Sequence, residues 1–193
     1  MSYWTPTETL KVLEEARKVS RRNHLIVLLA YRHGLRREEI VQLTLQDVRD
    51  GQIDVRRLKG SLHTIQPLYS DVNSLLDEKR ALAAYLRERG DADGSRFLFI
   101  SRNGSGLKAK AIYNLFEDAA FRAGLPAGRR NPHQAKHALA SHLIRNGASV
   151  AYVQQALGHK DPKATLSYTH ITQSEAAEVV TSVLSAVFAS ATV

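Results

Sequence analysis

The sequence predicts a mainly helical domain with a small antiparallel three-stranded β-sheet. Apolar residues recur at helical spacing along most of the 193 residues, and Asp50-Gly51, a dipeptide typical of hairpin turns, marks the place of the sheet. Hydrophobic residues make up 44% and charged residues 24% of the chain, which is the composition of a globular protein. The sequence shows no internal repeat or low-complexity linker. We therefore predict one domain over residues 1–193.

The individual elements follow from capping residues and apolar spacing. Thr5-Pro6-Thr7-Glu8 is expected to start the first helix, because it combines a capping threonine, a proline suited to the first turn and a glutamate that can complete a capping box. The apolar run 25–30 predicts a buried helix that ends near Gly34. Strands are predicted on both sides of Asp50-Gly51, at 47–49 and 52–56, and a third at 63–67. Further helices are predicted at 37–43, 71–89, 108–123, 133–145, 149–157, 161–170 and 174–189.

The charge of the chain points to a polyanionic partner. Basic residues outnumber acidic ones by 27 to 19, which gives a net charge of +8. After His170 the charged side chains are Glu175 and Glu178, so the positive excess lies in the body of the protein. A basic body is typical of proteins that bind nucleic acid, although charge that serves only solubility would give the same balance.

Composition also excludes several classes of protein. The chain has no cysteine, which excludes disulfide frameworks, cysteine-ligated zinc, iron–sulfur clusters and thiol nucleophiles. Its longest apolar run, residues 25–31, is too short to span a bilayer. The N-terminal residues lack the basic and then apolar pattern of a signal peptide. We therefore expect a cytoplasmic protein with no membrane association.

Four short segments stand out because their side chains could carry chemistry. They are Gly34-Leu35-Arg36-Arg37-Glu38-Glu39-Ile40, Arg57-Leu58-Lys59-Gly60, Pro132-His133-Gln134-Ala135-Lys136-His137, and Leu157-Gly158-His159-Lys160 followed by residues 164–170. Each segment alone has an ordinary interpretation. Arg36 and Lys59 could be surface cations, His159 could cap a helix, and Tyr168 could be a packed aromatic residue.

His133 and His137 also admit a metal site, since residues four apart share a helix face. This spacing matches the histidine pair of zinc proteases, but Gln134 stands where that motif needs a glutamate as general base. A zinc hydrolase is therefore a distant alternative, and no metal or other cofactor is expected.

Taken in order, the four segments resemble the catalytic domain of the tyrosine recombinases, the phage-integrase family. Arg36 and Glu39 match the first arginine box, Lys59 matches the hairpin lysine, and His133 and Lys136 match the second box. Gly158-His159 and Tyr168-Thr169-His170-Ile171 match the final histidine and nucleophile boxes. The resemblance covers about residues 5–171. Arg57-Leu58-Lys59-Gly60 and the short chain are most similar to the single-domain recombinases that invert fimbrial promoter segments.

This resemblance implies a catalytic role for seven residues. Arg36, Lys136 and His159 would stabilise the negative charge that develops on the phosphate oxygens, and Glu39 would orient the cations. Tyr168 would attack the phosphorus and form a covalent link to the 3′ phosphate. His133 would accept the tyrosine proton and Lys59 would protonate the leaving 5′ oxygen. The implied site is Arg36, Glu39, Lys59, His133, Lys136, His159 and Tyr168, without metal or ATP.

Two departures from the family pattern leave a second function open. Lys136 stands where the family has its second catalytic arginine, and Ala135 replaces a core leucine. A lysine offers one compact charge, whereas arginine grips a phosphate with a planar fork. The family's N-terminal core-binding domain is expected to be absent, either because the natural protein is short or because the chain is a fragment. The alternative is a catalytically weak or inactive DNA-binding protein on the same fold.

Double-stranded DNA is the partner that the resemblance implies, with a monomer when free and a tetramer on DNA. The helix at 174–189 has an apolar face and no Lys or Arg, so it is expected to dock either on a neighbouring subunit or back on its own domain. Candidate contacts to the phosphate backbone are Arg56, Arg57, Lys108, Lys110, Arg129 and Arg130. Each of them could equally be ordinary solvated charge.

Overall fold

The computed structural model describes residues 3–58, 61–90 and 94–160. The part of the chain that it describes contains seven α-helices, a two-stranded sheet and two short 3-10 turns at Leu45–Val48 and Ala127–Arg129. The helices are α1 (Pro6–Val19), α2 (Arg21–Arg32), α3 (Arg37–Gln42), α4 (Glu78–Arg89), α5 (Ala109–Arg122), α6 (His133–Arg145) and α7 (Val150–Leu157). The strands are β1 (Gln52–Val55) and β2 (Thr64–Pro67). The mainly helical fold is therefore confirmed.

Helix α2 forms the centre of the core. All six residues of its run 25–30 are at most 1% exposed, and the helix packs against α1, α4 and α6. The capping box at the start of α1 is confirmed: Glu8 N–H donates to Thr5 Oγ1 at 3.2 Å and Thr5 N–H donates to Glu8 Oε2 at 2.8 Å. None of the described helices is long and apolar enough to cross a lipid bilayer.

The sheet is smaller than predicted. β1 and β2 pair antiparallel from Gln52 opposite Pro67 to Val55 opposite Thr64. The predicted strand at 47–49 is wrong, because the chain there follows a 3-10 turn. Asp47 Oδ2 accepts hydrogen bonds from the backbone N–H of Thr44 at 2.7 Å and from its hydroxyl at 2.8 Å, which holds the segment in a turn. Asp50 and Gly51 do form a tight turn with positive φ at both residues, but it leads from this 3-10 turn into β1.

Helix α4 begins later than predicted, at Glu78 instead of residue 71. Its cap is Asp77, whose carboxylate accepts from Arg80 N–H at 2.9 Å. Before it, Asp71 and Asn73 each accept from a backbone N–H two residues ahead, at 2.9 and 3.0 Å. Such local bonds give the chain an alternative to the helix. The helices predicted at 161–170 and 174–189 lie outside the described residues.

Gly34 allows the end of α2 to pack closely against α6 and α7. It ends α2 with a φ of +58°, and a Cβ on this residue would lie 2.5 Å from Leu157 Cδ2 and 3.6 Å from Lys136 Cγ. Only glycine allows both this turn and this close approach. The last turn of α7 and the buried face of α6 therefore pack directly against the segment that leads to Arg36.

Candidate active site

Arg36 lies where the chain enters α3, with its guanidinium partly exposed. Its Nη1 donates to Glu39 Oε1 at 3.0 Å and to Ser61 Oγ at 2.9 Å, while its backbone N–H donates to Glu39 Oε2 at 2.9 Å. The side chain remains 28% exposed. Arg36 is thus held in place by one carboxylate and one hydroxyl, and it keeps N–H groups that can reach a phosphate outside the protein.

Glu39 is the buried anion of the site. Its carboxylate is 0% exposed and contacts the guanidinium groups of both Arg36 and Arg57. Burial by itself would raise the pKa of Glu39, but the backbone N–H of Arg36 and the charges of Arg57, Arg36 and Lys136 lower the pKa on balance. Glu39 therefore stays ionised at neutral pH and fixes the cations around it.

Lys136 lies on the buried face of α6 and is 7% exposed. Its Nζ donates to the carbonyl oxygen of Leu157 at 3.1 Å. Burial and the nearby charges of Arg36 and Arg57 lower the pKa of Lys136 from 10.5 to about 7, although Glu39 opposes the shift. An arginine at this position would keep its charge at any physiological pH, whereas this lysine can lose it.

His159 follows the left-handed residue Gly158 at the end of α7. It is 6% exposed, and its backbone is held by Gln154, whose Nε2 donates to His159 O at 3.2 Å. Burial, together with the charges of Lys136, Arg36 and Arg57, lowers the pKa of His159 to about 4. The imidazole is therefore neutral at pH 7 and carries one N–H donor.

The loop between the strands also lies against this cluster. Ser61 pairs with His159 through an isolated antiparallel bridge, and Leu62 N–H donates to Gly158 O at 2.8 Å. On the other side of the loop, Leu58 N–H donates to Glu39 Oε1 at 3.4 Å. Lys59 lies outside the described residues, and so does Tyr168.

His133 begins α6, one turn before Lys136, with an exposed side chain. His137, the other member of the possible zinc pair, is also exposed. Within residues 3–58, 61–90 and 94–160, no three His, Asp or Glu side chains group closely enough to hold a metal ion.

The candidate DNA contacts divide into two groups. Arg56, Lys108 and Lys110 are exposed. Arg129 and Arg130 are partly buried, and each is engaged within the protein. Arg129 pairs with Glu8, while Arg130 Nε donates to Leu125 O at 2.7 Å and its guanidinium lies 4.7 Å from the centre of the Phe121 ring.

Arg57 differs from the other candidate contacts because its side chain is fully buried. Its side chain is 0% exposed, and its N–H groups donate to carbonyl oxygens, a hydroxyl and the Glu39 carboxylate. All five N–H donors of the Arg57 guanidinium are used within the protein, which leaves none for a phosphate. The alternation of β1 carries a signal for this position: Ile53 and Val55 point into the core, and Arg57 follows them at the same spacing of two.

Arg36, Glu39, Arg57, Lys136 and His159 thus form one cluster at the ends of α2 and α7. Three basic groups surround a single carboxylate, and a neutral histidine lies beside them. Such an excess of positive charge, when Lys136 is protonated, can stabilise a phosphate whose negative charge increases in a transition state.

Comparison with known proteins identifies the family of the chain. The model of the phage integrase family matches residues 3–175, which is most of the chain. The chain belongs to this family. It is 36% identical over 153 residues to the type 1 fimbriae regulatory protein FimE of Escherichia coli strain K12, covering 77% of this chain and 74% of FimE. It is 33% identical over 171 residues to the tyrosine recombinase XerD of Agrobacterium fabrum, covering 82% of this chain and 52% of XerD.

Solved structures of this family share the fold. A crystal structure of XerA recombinase superposes with a TM-score of 0.76 at 28% identity, covering 93% of this chain and 64% of XerA. A XerH recombinase bound to its difH substrate, in a post-cleavage complex, also gives a TM-score of 0.76, at 25% identity. That match covers 93% of this chain and 52% of XerH.

Proposed function

We propose that this protein is a site-specific DNA recombinase of the integrase and invertase type. The observation that carries the proposal is the cluster of Arg36, Lys136 and His159 around the buried Glu39, in a chain of the phage integrase family. The similarity to FimE favours a short recombinase of the fimbrial type. The DNA-bound state of XerH supports double-stranded DNA as the partner. We further propose that the protein assembles as a tetramer on DNA and is monomeric when free.

The reaction exchanges one phosphodiester bond for another. The Tyr168 oxygen attacks the phosphorus, its proton passes to His133, and a bond forms between Tyr168 and the 3′ phosphate. The bond from phosphorus to the 5′ oxygen breaks, and Lys59 gives that oxygen its proton. Arg36, Lys136 and the neutral His159 stabilise the charge on the phosphate oxygens. Reversal of these steps with a new 5′ hydroxyl rejoins the strand, so the phosphotyrosine makes ATP unnecessary.

A suicide substrate tests this proposal. A nick placed close to the cleavage site lets the short 5′ fragment diffuse away, which traps the covalent complex. The parent protein should give a protein–DNA adduct that survives denaturation. Tyr168→Phe keeps the aromatic ring and removes the attacking oxygen, so it should lose the adduct and keep DNA binding. An adduct that persists in Tyr168→Phe would show that another residue is the nucleophile.

One observation favours a second function, a DNA-binding protein with little or no catalysis. Lys136 donates to the Leu157 carbonyl and has a pKa of about 7, so part of the population has no charge at the place of the second catalytic arginine. On this alternative, the protein binds DNA and occupies the site without forming an adduct. The same trapping assay separates the two functions.

A further inference from the structure

Arg57 uses every N–H group of its guanidinium inside the protein. Nε donates to Thr64 Oγ1 at 3.2 Å, Nη1 donates to Gly34 O at 3.2 Å and to Glu39 Oε2 at 3.2 Å, and Nη2 donates to His33 O at 2.8 Å and to Ala156 O at 3.3 Å. The side chain of Arg57 is 0% exposed, so its guanidinium is out of reach of solvent and of DNA outside the protein. Five donors in a fixed plane are a property of arginine that lysine does not share.

The acceptors of Arg57 belong to the segments that carry the active-site side chains. His33 and Gly34 end α2 and lead directly to Arg36. Glu39, which Arg57 also contacts, forms the ion pair that fixes the Arg36 guanidinium.

On the opposite side, Arg57 holds the end of α7. Its acceptor there is the carbonyl oxygen of Ala156, three residues before His159. A Cβ at Gly158 would lie 3.2 Å from Arg57 Cγ and Nε, so the glycine lets the guanidinium approach the α7 end closely. One buried side chain therefore links the Arg36 segment to the His159 segment.

We propose that Arg57 is a positioning residue that sets the distance between Arg36 and His159 for the scissile phosphate. The inference rests on the proposed recombinase function. It predicts that loss of the guanidinium fork impairs strand cleavage much more than DNA binding, since the groups that contact DNA keep their charges. If Arg57 instead contacted a phosphate directly, its loss would weaken DNA binding and reduce the salt slope.

The test compares two adjacent arginines by two measurements. DNA affinity is measured against salt concentration, and strand cleavage is measured in single turnover at saturating protein on the nicked suicide substrate. For Arg57→Gln we expect cleavage to fall about a hundredfold, the cost of a misplacement of about 1 Å, with an unchanged salt slope. The exposed neighbour should behave differently: Arg56→Gln should reduce the salt slope by about 0.9, the value of one lost phosphate contact.

A control arginine lies at the opposite end of α2 from the carbonyl groups that accept from Arg57. Arg21 begins α2, about 18 Å from its C-terminal end by the rise of 12 residues, and its side chain is exposed. Arg21→Gln should match the parent in both measurements. Arg57→Lys keeps the charge beside Glu39 without the fork, so it should cleave faster than Arg57→Gln and more slowly than the parent.

Thermal unfolding of the free protein shows whether each variant is folded. If Arg57→Gln does not fold, Thr64→Val tests the inference instead. It removes the hydroxyl that accepts from Arg57 Nε and leaves the charge of Arg57 in place. Slower cleavage with an unchanged salt slope in Thr64→Val and Arg57→Lys would support the inference. Parental cleavage in both variants, or a salt slope reduced by about 0.9 in Arg57→Gln, would overturn it. Absence of an adduct from the parent protein would overturn the proposed function as well.

Discussion

Replacement of Lys136 by arginine should change how strand cleavage depends on pH. The lysine is buried beside Arg36 and Arg57, and burial followed by these charges lowers its pKa to about 7. Arginine remains protonated at any pH at which the protein is folded. Between pH 6 and pH 8 the parent site therefore loses most of one positive charge, whereas the Lys136→Arg site keeps it.

The size of the effect follows from this pKa. A group with a pKa of about 7 is roughly 90% protonated at pH 6, half protonated at pH 7 and roughly 10% protonated at pH 8. If only the charged form supports cleavage, the rate of the parent divided by that of Lys136→Arg should fall about tenfold from pH 6 to pH 8. The guanidinium of Lys136→Arg can also form one more hydrogen bond in the transition state than lysine does. That bond is worth roughly 3 kcal/mol, or about a hundredfold in rate, if the pocket accepts the longer side chain.

The assay is single-turnover cleavage of the suicide substrate at subsaturating protein, where the pKa of the free protein governs the rate. Dividing the two rates at each pH cancels the ionisation of Tyr168, because both proteins share that residue. Lys18→Arg is the matched control, since Lys18 is exposed and pairs with Glu15 at 2.7 Å. At saturating DNA the profile should move to higher pH, because the bound phosphate favours the charged lysine.

Two results would refute this reasoning. A rate ratio that stays constant from pH 6 to pH 8 would show that Lys136 does not titrate in this range or that its charge is not used. Cleavage by Lys136→Ala at the rate of the parent would remove Lys136 from the active site and invalidate the alignment of residues 133–137 with the second box. If Lys136 does lie in the active site, Lys136→Ala should cleave almost no substrate.

Three further predictions concern stability, DNA binding and assembly. Below pH 7 the buried charge of Lys136 opposes folding, and from about pH 7 to pH 10 the unfolded chain binds a proton that the folded one does not. The free energy of unfolding, measured in urea at each pH, should therefore rise by about 1.4 kcal/mol per pH unit in the parent relative to Lys136→Met over that range. A difference between the two proteins that does not change with pH would contradict this. DNA affinity should fall log-linearly with salt, and neutralising exposed Lys108 or Lys110 should each reduce the slope by about 0.9; an affinity independent of salt would refute a backbone-dominated interface. Deletion of the residues after Gln173 should impair tetramer assembly on DNA more than single-site binding in native gels, and unchanged assembly would exclude docking of 174–189 on a neighbouring subunit.

Local patterns were sufficient to predict much of the helical framework. The capping box at Thr5 and Glu8 marks the start of α1, and the apolar run 25–30 marks the central helix. The early start predicted for α4 is wrong because Asp71 and Asn73 form turns of their own, and apolar spacing does not register such bonds. The missing third strand has the same cause, a short side chain that bonds to nearby backbone.

The site was less predictable than the framework. Arg36, Glu39, Lys136 and His159 belong to recognisable boxes, and the structure brings them into one cluster. Ser61 contacts Arg36 from a loop, where no sequence pattern distinguishes it from any other serine. Adjacent arginines at 56 and 57 look equivalent by charge, and only the alternation of β1 separates the exposed one from the buried one.

The substitution at position 136 has a consequence for the balance of charge in the free protein. Arg36 and Arg57 already face the single carboxylate of Glu39, and both are close enough to lower the pKa of Lys136. A third permanent cation would add repulsion that Glu39 offsets only in part. A lysine avoids this repulsion, because it can release its proton while the site is empty and take one up when the phosphate binds. On the proposed function, position 136 thus combines a weaker grip on the phosphate with a lower electrostatic cost in the absence of DNA.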